Sequence, residues 1–492
     1  MDRFRDEREL AELLGDWSVG RGPLYSKLVD GMQRAMDDGA LLAGDRLPSE
    51  RHLAAALAVS RSTIVAAYDE LRARGALSSR QGSGTRVSTR VRPRRPSADG
   101  RIPGGRATTI FRRLIEGPGD AISLTCAAEA GVPEVGDALR DLVREDLPTL
   151  LADPGYHPRG LLSLREAVAA NYTSAGLPTS ADEVLVTTGA QQAIGLAAEL
   201  YVRGGTILVE APSWPGSLDV FRAAGARLVA VPMDGEGIRA DALADALARH
   251  APRLLYVQPT FHNPTGIGMS VSRRRQVAEL VARYDVPVLE DNAYIALAEP
   301  DGVLPAPLAA HVAGPAEVLT LGSLGKLLWG GLRTGWVRAP AEIIERLARR
   351  KVLADLGSPI LDQALAARLV ARLPDLLVSR NKQFREQLAG FERELREQLP
   401  GWRWRRPDGG AGLWVELPGV DAGVFAQVAL RHGVEIVPGS AMDPDGAHNN
   451  FLRVPFTFAP SVLSELVRRL ARAWTELERH GPVESRSLTP II

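Results

Sequence analysis

The chain has a single cysteine, Cys126, in 492 residues. One thiol cannot build an intrachain disulfide framework, and so sparse a use of cysteine points to a reducing compartment. There is no unbroken apolar run long enough to span a bilayer, and no basic start followed by an apolar leader. The expected location is the cytoplasm, with no membrane partner. Net charge is also missing, since Lys+Arg and Asp+Glu stand at 59 each. That balance is a cancellation rather than an even mixture. Residues 21–96 hold 14 basic and 7 acidic side chains, an excess of seven that leaves the remainder about seven negative. A basic head on an acidic body fits a polyanion-binding module joined to something else. The bulk is otherwise ordinary, with 45% apolar and 24% charged residues, and the length calls for two or three domains.

The first 22 residues read as a mobile or lightly docked lead-in. Leu24, Leu28, Met32 and Met36 then recur every four residues before Gly39, which predicts an amphipathic helix and its stop. Pro48 and Ser49 predict an extended entry and an N-cap for a second helix over 50–58. Ser60 caps a third, striped by Ile64, Tyr68 and Leu71 and ended by Gly75. Two short helices joined so tightly form a helix-turn-helix, and Arg61, Ser62 and Thr63 at the start of the third can reach base edges and phosphates. Strand-like residues 76–78 and 85–87 flank the glycine-rich tip 79–84, a basic hairpin suited to lie along the DNA backbone. Periodicity and charge alone equally allow a small helical protein-interaction domain.

Residues 23–87 resemble the winged helix of the GntR family of bacterial regulators. The resemblance is carried by Leu47-Pro48-Ser49-Glu50-Arg51, by Ser60-Arg61-Ser62-Thr63 with Ala67, Tyr68 and Leu71, and by Arg80-Gln81-Gly82-Ser83-Gly84-Thr85. It implies contacts to a double-stranded DNA operator at Arg46, Ser49, Arg51, Arg61, Ser62, Thr63, Gly82, Ser83 and Gly84. From 88 to 119 the composition turns to Arg, Pro, Gly and Ser, a linker that cannot bury a core.

From about residue 120, short apolar runs alternate with helical patterns, which predicts an α/β domain with a largely parallel sheet. The clearest strands are 183–188, 206–210, 254–257, 287–290 and 318–321. Ligands of such sheets sit at the carboxyl ends of the strands. Following these five runs come Gly189-Ala190-Gln191, Ser213-Trp214-Pro215, Asn263-Pro264-Thr265-Gly266, Asp291-Asn292-Ala293-Tyr294 and Ser323-Leu324-Gly325-Lys326. Each turn is ordinary alone, but together they suit pyridoxal phosphate. That cofactor needs an amine for its aldehyde, here Lys326, and a carboxylate for its ring nitrogen, here Asp291. Asn263 and Tyr294 can donate to its phenolate oxygen, Trp214 can stack on its ring, and Ala190, Gln191, Ser323 and Arg333 can cradle its phosphate.

In that order and spacing, residues 120–478 resemble a fold-type I aminotransferase with a small α+β subdomain; the tail is 479–492. The resemblance implies a homodimer in which Tyr156 reaches the neighbouring subunit's cofactor phosphate, and it places Arg453 on a substrate carboxylate. No metal site is assigned. Head and body together resemble the MocR subgroup of GntR regulators. This implies a transcription factor holding pyridoxal phosphate as an internal aldimine on Lys326, with an amino compound or the cofactor itself as effector. The competing reading is an active aminotransferase carrying a DNA-binding head.

Overall fold

The computed structural model describes residues 4–19, 22–80, 84–88, 114, 119–127, 130–294, 304–314 and 316–480. The linker expected over 88–119 therefore lies largely outside the described residues, as do Gly82, Ser83 and the tail beyond 480.

The head comprises α1 (Glu7–Leu14), α2 (Leu24–Asp37), α3 (Glu50–Ala56) and α4 (Arg61–Ala73), followed by the antiparallel pair β1 (Leu77–Arg80) and β2 (Gly84–Val87). Its core joins Leu28, Met32 and Met36 of α2 to Leu53, Ile64, Tyr68 and Leu71. The lead-in expected to be mobile or lightly docked is corrected here, because α1 is part of that core. Asp6 caps α1 by accepting the Glu9 N–H, and Leu10, Leu14 and Trp17 are buried on one stripe. Gly31 of α2 leaves the room, since a Cβ there would lie 3.0 Å from Trp17 Cβ. The helix expected over 50–58 ends at Ala56, where Leu57 caps it and Ala58 takes a φ of 50°.

The body is built on an eight-stranded sheet. Its order is β4 (Val184–Thr187), β11 (Gly335–Arg338), β10 (Val318–Ser323), β9 (Val288–Asp291), β8 (Leu254–Val257), β5 (Thr206–Ala211), β6 (Arg227–Asp234) and β7 (Gly237–Ile238). β10 through β6 run parallel, and β11 runs against both neighbours. Alternation along β8 shows how the sheet is covered. Leu254 and Tyr256 pack with α8 (Ala190–Tyr201), α9 (Pro215–Ala223) and α12 (Ala341–Asp355). Leu255 and Val257 face α10 (Ala240–His250) and α11 (Val271–Tyr284). A further core joins α5 (Pro133–Glu145), α7 (Leu162–Ser174) and α13 (Ile360–Ala371) to β4.

The small subdomain is a four-stranded antiparallel sheet of β12 (Arg403–Trp404), β13 (Gly412–Glu416), β16 (Phe451–Pro455) and β15 (Val437–Pro438). It packs on α14 (Leu373–Gln398), α15 (Ala422–Arg431) and α16 (Pro460–His480). A short parallel pair, β3 (Ile122–Ser123) with β14 (Val434–Glu435), ties the segment downstream of the linker to this subdomain. The head docks on the same subdomain. Arg431, ending α15, donates to the carbonyls of Leu57 (3.4 Å) and Ala58 (3.2 Å). Trp17 Nε1 donates to Gln427 Oε1 at 3.1 Å, and Arg8 pairs with Asp421 at 2.8 Å. Among the described residues no helix is long and apolar enough to cross a membrane.

Candidate cofactor pocket and DNA-binding head

Asp291 closes β9 and is 3% exposed. Its Oδ2 accepts the Tyr256 hydroxyl at 2.7 Å and the Gln258 amide at 3.2 Å, while Oδ1 accepts the Ala293 N–H at 3.0 Å. Burial pushes its carboxyl pKa up despite these bonds, and no Lys or Arg among the described residues pairs with it. A buried carboxylate in this setting is stabilised by a cation, which a protonated pyridine nitrogen supplies. Behind it lies a second buried acid, Glu210 on β5. Glu210 Oε2 accepts the Gln258 N–H at 2.7 Å and lies 3.5 Å from His262 Nε2. Desolvation pushes the Glu210 carboxyl up to about 8 and the His262 imidazole down to about 3. Their contact is therefore between neutral groups, not an ion pair.

Lys326 follows β10 in a turn where Ser323 Oγ accepts the Gly325 N–H at 3.1 Å. Its Nζ donates to the Ala127 carbonyl at 2.7 Å. The anion cradle begins at Gly189 (φ 104°), which starts α8 without a side-chain cap, so no side chain takes up the first N–H groups at Ala190 and Gln191. Arg333 donates to the Thr188 carbonyl at 2.8 Å, and a Cβ on Gly189 would lie 3.0 Å from its guanidinium. A glycine is required there by the close approach and the positive φ together. Gln191 is exposed. Its neighbour Gln192 shapes the turn, accepting the Thr188 N–H (2.9 Å) and donating to Asp355 (2.8 Å). The Trp214 indole, half-buried at the start of α9, rests against Gly216, where a Cβ would come within 2.4 Å of the ring.

Asn263, Tyr294 and Arg453 line one cavity. Arg453 is buried, and desolvation lowers its pKa. It donates to Asn263 Oδ1 (3.2 Å) and to the carbonyls of Leu124 (3.0 Å) and Thr125 (2.7 Å), and its Nε has no partner. An incoming carboxylate can use that unmet donor and exchange for the two carbonyls. Tyr156 stands apart from this group, in the turn ahead of α7, with its side chain 69% exposed. These are the side chains a pyridoxal phosphate would need. Lys326 lines a second cavity, which shares Ala127 and Ala411 with that of Asn263, Tyr294 and Arg453, whereas Asp291, Trp214, Ala190, Gln191, Ser323, Arg333 and Tyr156 line neither.

Two contributors escaped the sequence reading. Tyr256 and Gln258 reach Asp291 from β8 and its end, and only the strand's facing decides which of its residues do so. Glu210 was legible as a lone acid in an apolar run.

In the head, Ser60 Oγ accepts the Thr63 N–H (3.2 Å) and lies 2.8 Å from Ser62 Oγ and 2.9 Å from Thr63 Oγ1. Ser62 and Thr63 thus belong to the cap of α4, beside an exposed Arg61. Ser49 Oγ accepts the His52 N–H to cap α3, next to an exposed Arg51, and Tyr68 OH donates to the Pro48 carbonyl at 3.1 Å. Arg46 leans on the wing, its Nε 3.0 Å from where a Gly84 Cβ would lie.

A family model described as "Aminotransferase class I and II" matches residues 136–470, and one described as "Bacterial regulatory proteins, gntR family" matches residues 24–87. The HTH-type transcriptional regulator YisV of Bacillus subtilis is 32% identical over 473 residues, covering 91% of this chain and 95% of its own. The HTH-type transcriptional regulator TauR of Rhodobacter capsulatus is 29% identical over 483 residues, covering 92% and 97%. Among solved structures, the α-aminoadipate aminotransferase LysN of Thermus thermophilus, complexed with N-(5'-phosphopyridoxyl)-L-leucine, is similar with a TM-score of 0.69 at 32% identity. It covers 77% of this chain and 97% of that one. The chain therefore belongs to the aminotransferase class I and II family, joined to a gntR-family DNA-binding head in the arrangement of the MocR subgroup of transcriptional regulators, and its cofactor is pyridoxal phosphate.

Proposed function

We propose that the protein is a dimeric transcription regulator that binds operator DNA through its head and reads an amino compound, or pyridoxal phosphate itself, at Lys326. When bound, the cofactor supplies an aldehyde that condenses with primary amines and a ring that withdraws electrons. Lys326 would supply the amine that holds the cofactor, Asp291 would keep its ring nitrogen protonated, and Asn263 and Tyr294 would donate to its phenolate oxygen. Trp214 would support the ring, while Ala190, Gln191, Ser323 and Arg333 would hold the phosphate, with Tyr156 reaching it from the neighbouring copy of a dimer. Arg453 takes the effector's carboxylate.

One observation carries the regulatory reading. The strap 122–127, directly downstream of the linker to the head, is gripped by both effector-facing cations: Lys326 at Ala127, and Arg453 at Leu124 and Thr125. A ligand that engages Arg453 and changes the state of Lys326 acts on all three grips, and β3–β14 pairing passes the change to the subdomain that carries the head. Dimerisation is supported by the apolar surface around the Tyr156 turn. Leu139, Val143, Leu162 and Leu361 are exposed on α5, α7 and α13, which share one core, and Leu353 on α12 is 89% exposed. Apolar surface in such a cluster favours a second copy over water.

The test is operator affinity by fluorescence anisotropy, with and without a panel of amines, for wild type and Lys326→Ala. An amine that changes wild-type affinity and leaves the variant unchanged is the expected result. The completeness of the Lys326, Asp291 and Arg453 set also favours the second reading, an aminotransferase. Sustained turnover of an amino acid and a keto acid without change in operator affinity would establish that reading instead.

A further inference from the structure

We propose that Asp355, at the end of α12, is a positioning residue that ties each chain's own phosphate cradle to the arm it lends its partner, so that filling one cofactor site of the dimer favours filling the other. The inference rests on the dimeric reading above, in which Tyr156 serves the neighbouring copy's phosphate. The Asp355 carboxylate is held from three directions. Its Oδ2 accepts the Gln192 amide at 2.8 Å, and its Oδ1 accepts the Gly357 N–H at 3.0 Å. Lys351, one turn back on α12 and fully buried, places its Nζ 2.7 Å from both oxygens. A carboxylate pinned by a buried ammonium has little freedom to turn.

Two of these directions lead to different parts of the cofactor machinery. Gln192 leads to the cradle, since its Oε1 accepts the Thr188 N–H at 2.9 Å directly ahead of Gly189. Gly357 leads to the arm. It packs against the backbone of His157, next to Tyr156, and a Cβ there would lie 3.2 Å from the His157 carbonyl oxygen. Leu356, between Asp355 and Gly357, takes a φ of 57°. A leucine keeps that left-handed conformation where its surroundings over-determine it, and the bond from Gly357 to Asp355 closes the turn. The arm is also fixed to β4 and α13: the Val186 N–H donates to the Arg159 carbonyl at 3.0 Å, and the Leu161 N–H donates to Gln363 Oε1 at 2.7 Å. Cradle and arm are thus one unit with Asp355 as its hub. A phosphate in the cradle bears the cost of ordering Thr188–Gln192. Through the hub that ordering extends to Gly357 and His157, and the arm then meets the neighbouring phosphate already in place.

The experiment strips the full-length protein of cofactor and titrates it with pyridoxal 5'-phosphate, followed by absorbance, with sedimentation velocity at the same protein concentration. Wild type is expected to bind with a Hill slope above one, two being the ceiling for two sites. Gln192→Glu keeps an acceptor for Thr188 but sets a carboxylate against Asp355. It should bring the slope to one and weaken binding by about tenfold, the worth of one hydrogen bond. Adding Asp355→Asn to Gln192→Glu reverses donor and acceptor across the same bond at unchanged net charge, and should restore the slope. Gly357→Ala cuts the link to the arm with Gln192 untouched, and should also lose the slope. An Asp355 that only supports the fold would shift affinity and melting temperature and leave the slope alone. A wild-type dimer with a slope of one overturns the coupling, as does a slope above one that survives both Gln192→Glu and Gly357→Ala. A wild type that sediments as a monomer at saturating cofactor overturns the dimeric reading, and the coupling with it.

Discussion

Glu210→Gln isolates the buried acid behind Asp291. The folded carboxyl titrates near 8 against an ordinary 4.5, because desolvation outweighs the single N–H bond from Gln258. Between those two values the native state holds a proton that the unfolded chain has released. The stabilising contribution is therefore complete below 4.5 and is lost as pH rises through about 8. At about 1.36 kcal/mol per pH unit, this gap bounds the loss at about 5 kcal/mol, with screening and local relaxation reducing it. Glutamine keeps the shape and the neutral state but cannot ionise. Thermal melts at matched cofactor loading, from pH 5 to 8.5, should show wild type losing ground to Glu210→Gln as pH rises. The acid side gives a control. His262 is held near 3 against an ordinary 6.5, so its contribution is present above 6.5 and lost as pH falls towards 3, in both proteins. Parallel melting profiles between pH 5 and 8.5 would show that Glu210 is ionised in the folded protein and would refute the reasoning.

Asp291→Ala removes the carboxylate proposed to hold the cofactor's ring nitrogen. Losing one member of a buried ion pair costs about 3–5 kcal/mol, so equilibrium dialysis should show cofactor affinity lowered by at least about a hundredfold. Arg431→Ala loosens the head on the small subdomain by removing the donors to the Leu57 and Ala58 carbonyls, leaving the Trp17–Gln427 and Arg8–Asp421 contacts in place. It should expose α15 and α3 to faster hydrogen exchange while the head's own core stays protected. Arg61→Ala should weaken operator binding and lower the slope of log affinity against log salt by about one if its role is a phosphate contact. A base-reading role would instead relax sequence preference. Ser60→Ala deletes the α4 cap and should cost about 1 kcal/mol of head stability by denaturant melting.

The parts of the fold written in local chemistry were readable from the sequence. Ser49 and Ser60 announce their helices because a cap is a contact within four residues, and each of the five apolar runs identified as strands lies within a residue or two of an observed strand. The residues at the strand ends could be named for the same reason, since turn chemistry follows each run directly. What stayed hidden depends on facing and on distant packing. Whether Tyr256 or Leu255 turns towards Asp291 is decided by the pleat of β8, which an all-apolar run does not reveal. α1 carries its own signals, Asp6 as cap and Leu10, Leu14 and Trp17 as stripe, but only the notch at Gly31 shows where it goes. Gly335–Arg338, the strand that runs against its neighbours, is four residues long and has no periodicity of its own.

The strap 122–127 has a thermodynamic corollary. Coupling between two binding sites is one free energy shared by both, so any factor by which an amine changes operator affinity is the factor by which operator changes amine affinity. Under the proposed coupling, operator DNA bound at the head acts as an effector of amine binding in the aminotransferase half. A promoter whose operator discriminates more strongly between the two states would, on that coupling, tune the amine concentration at which its own copy of the regulator responds, with no change to any residue in the pocket.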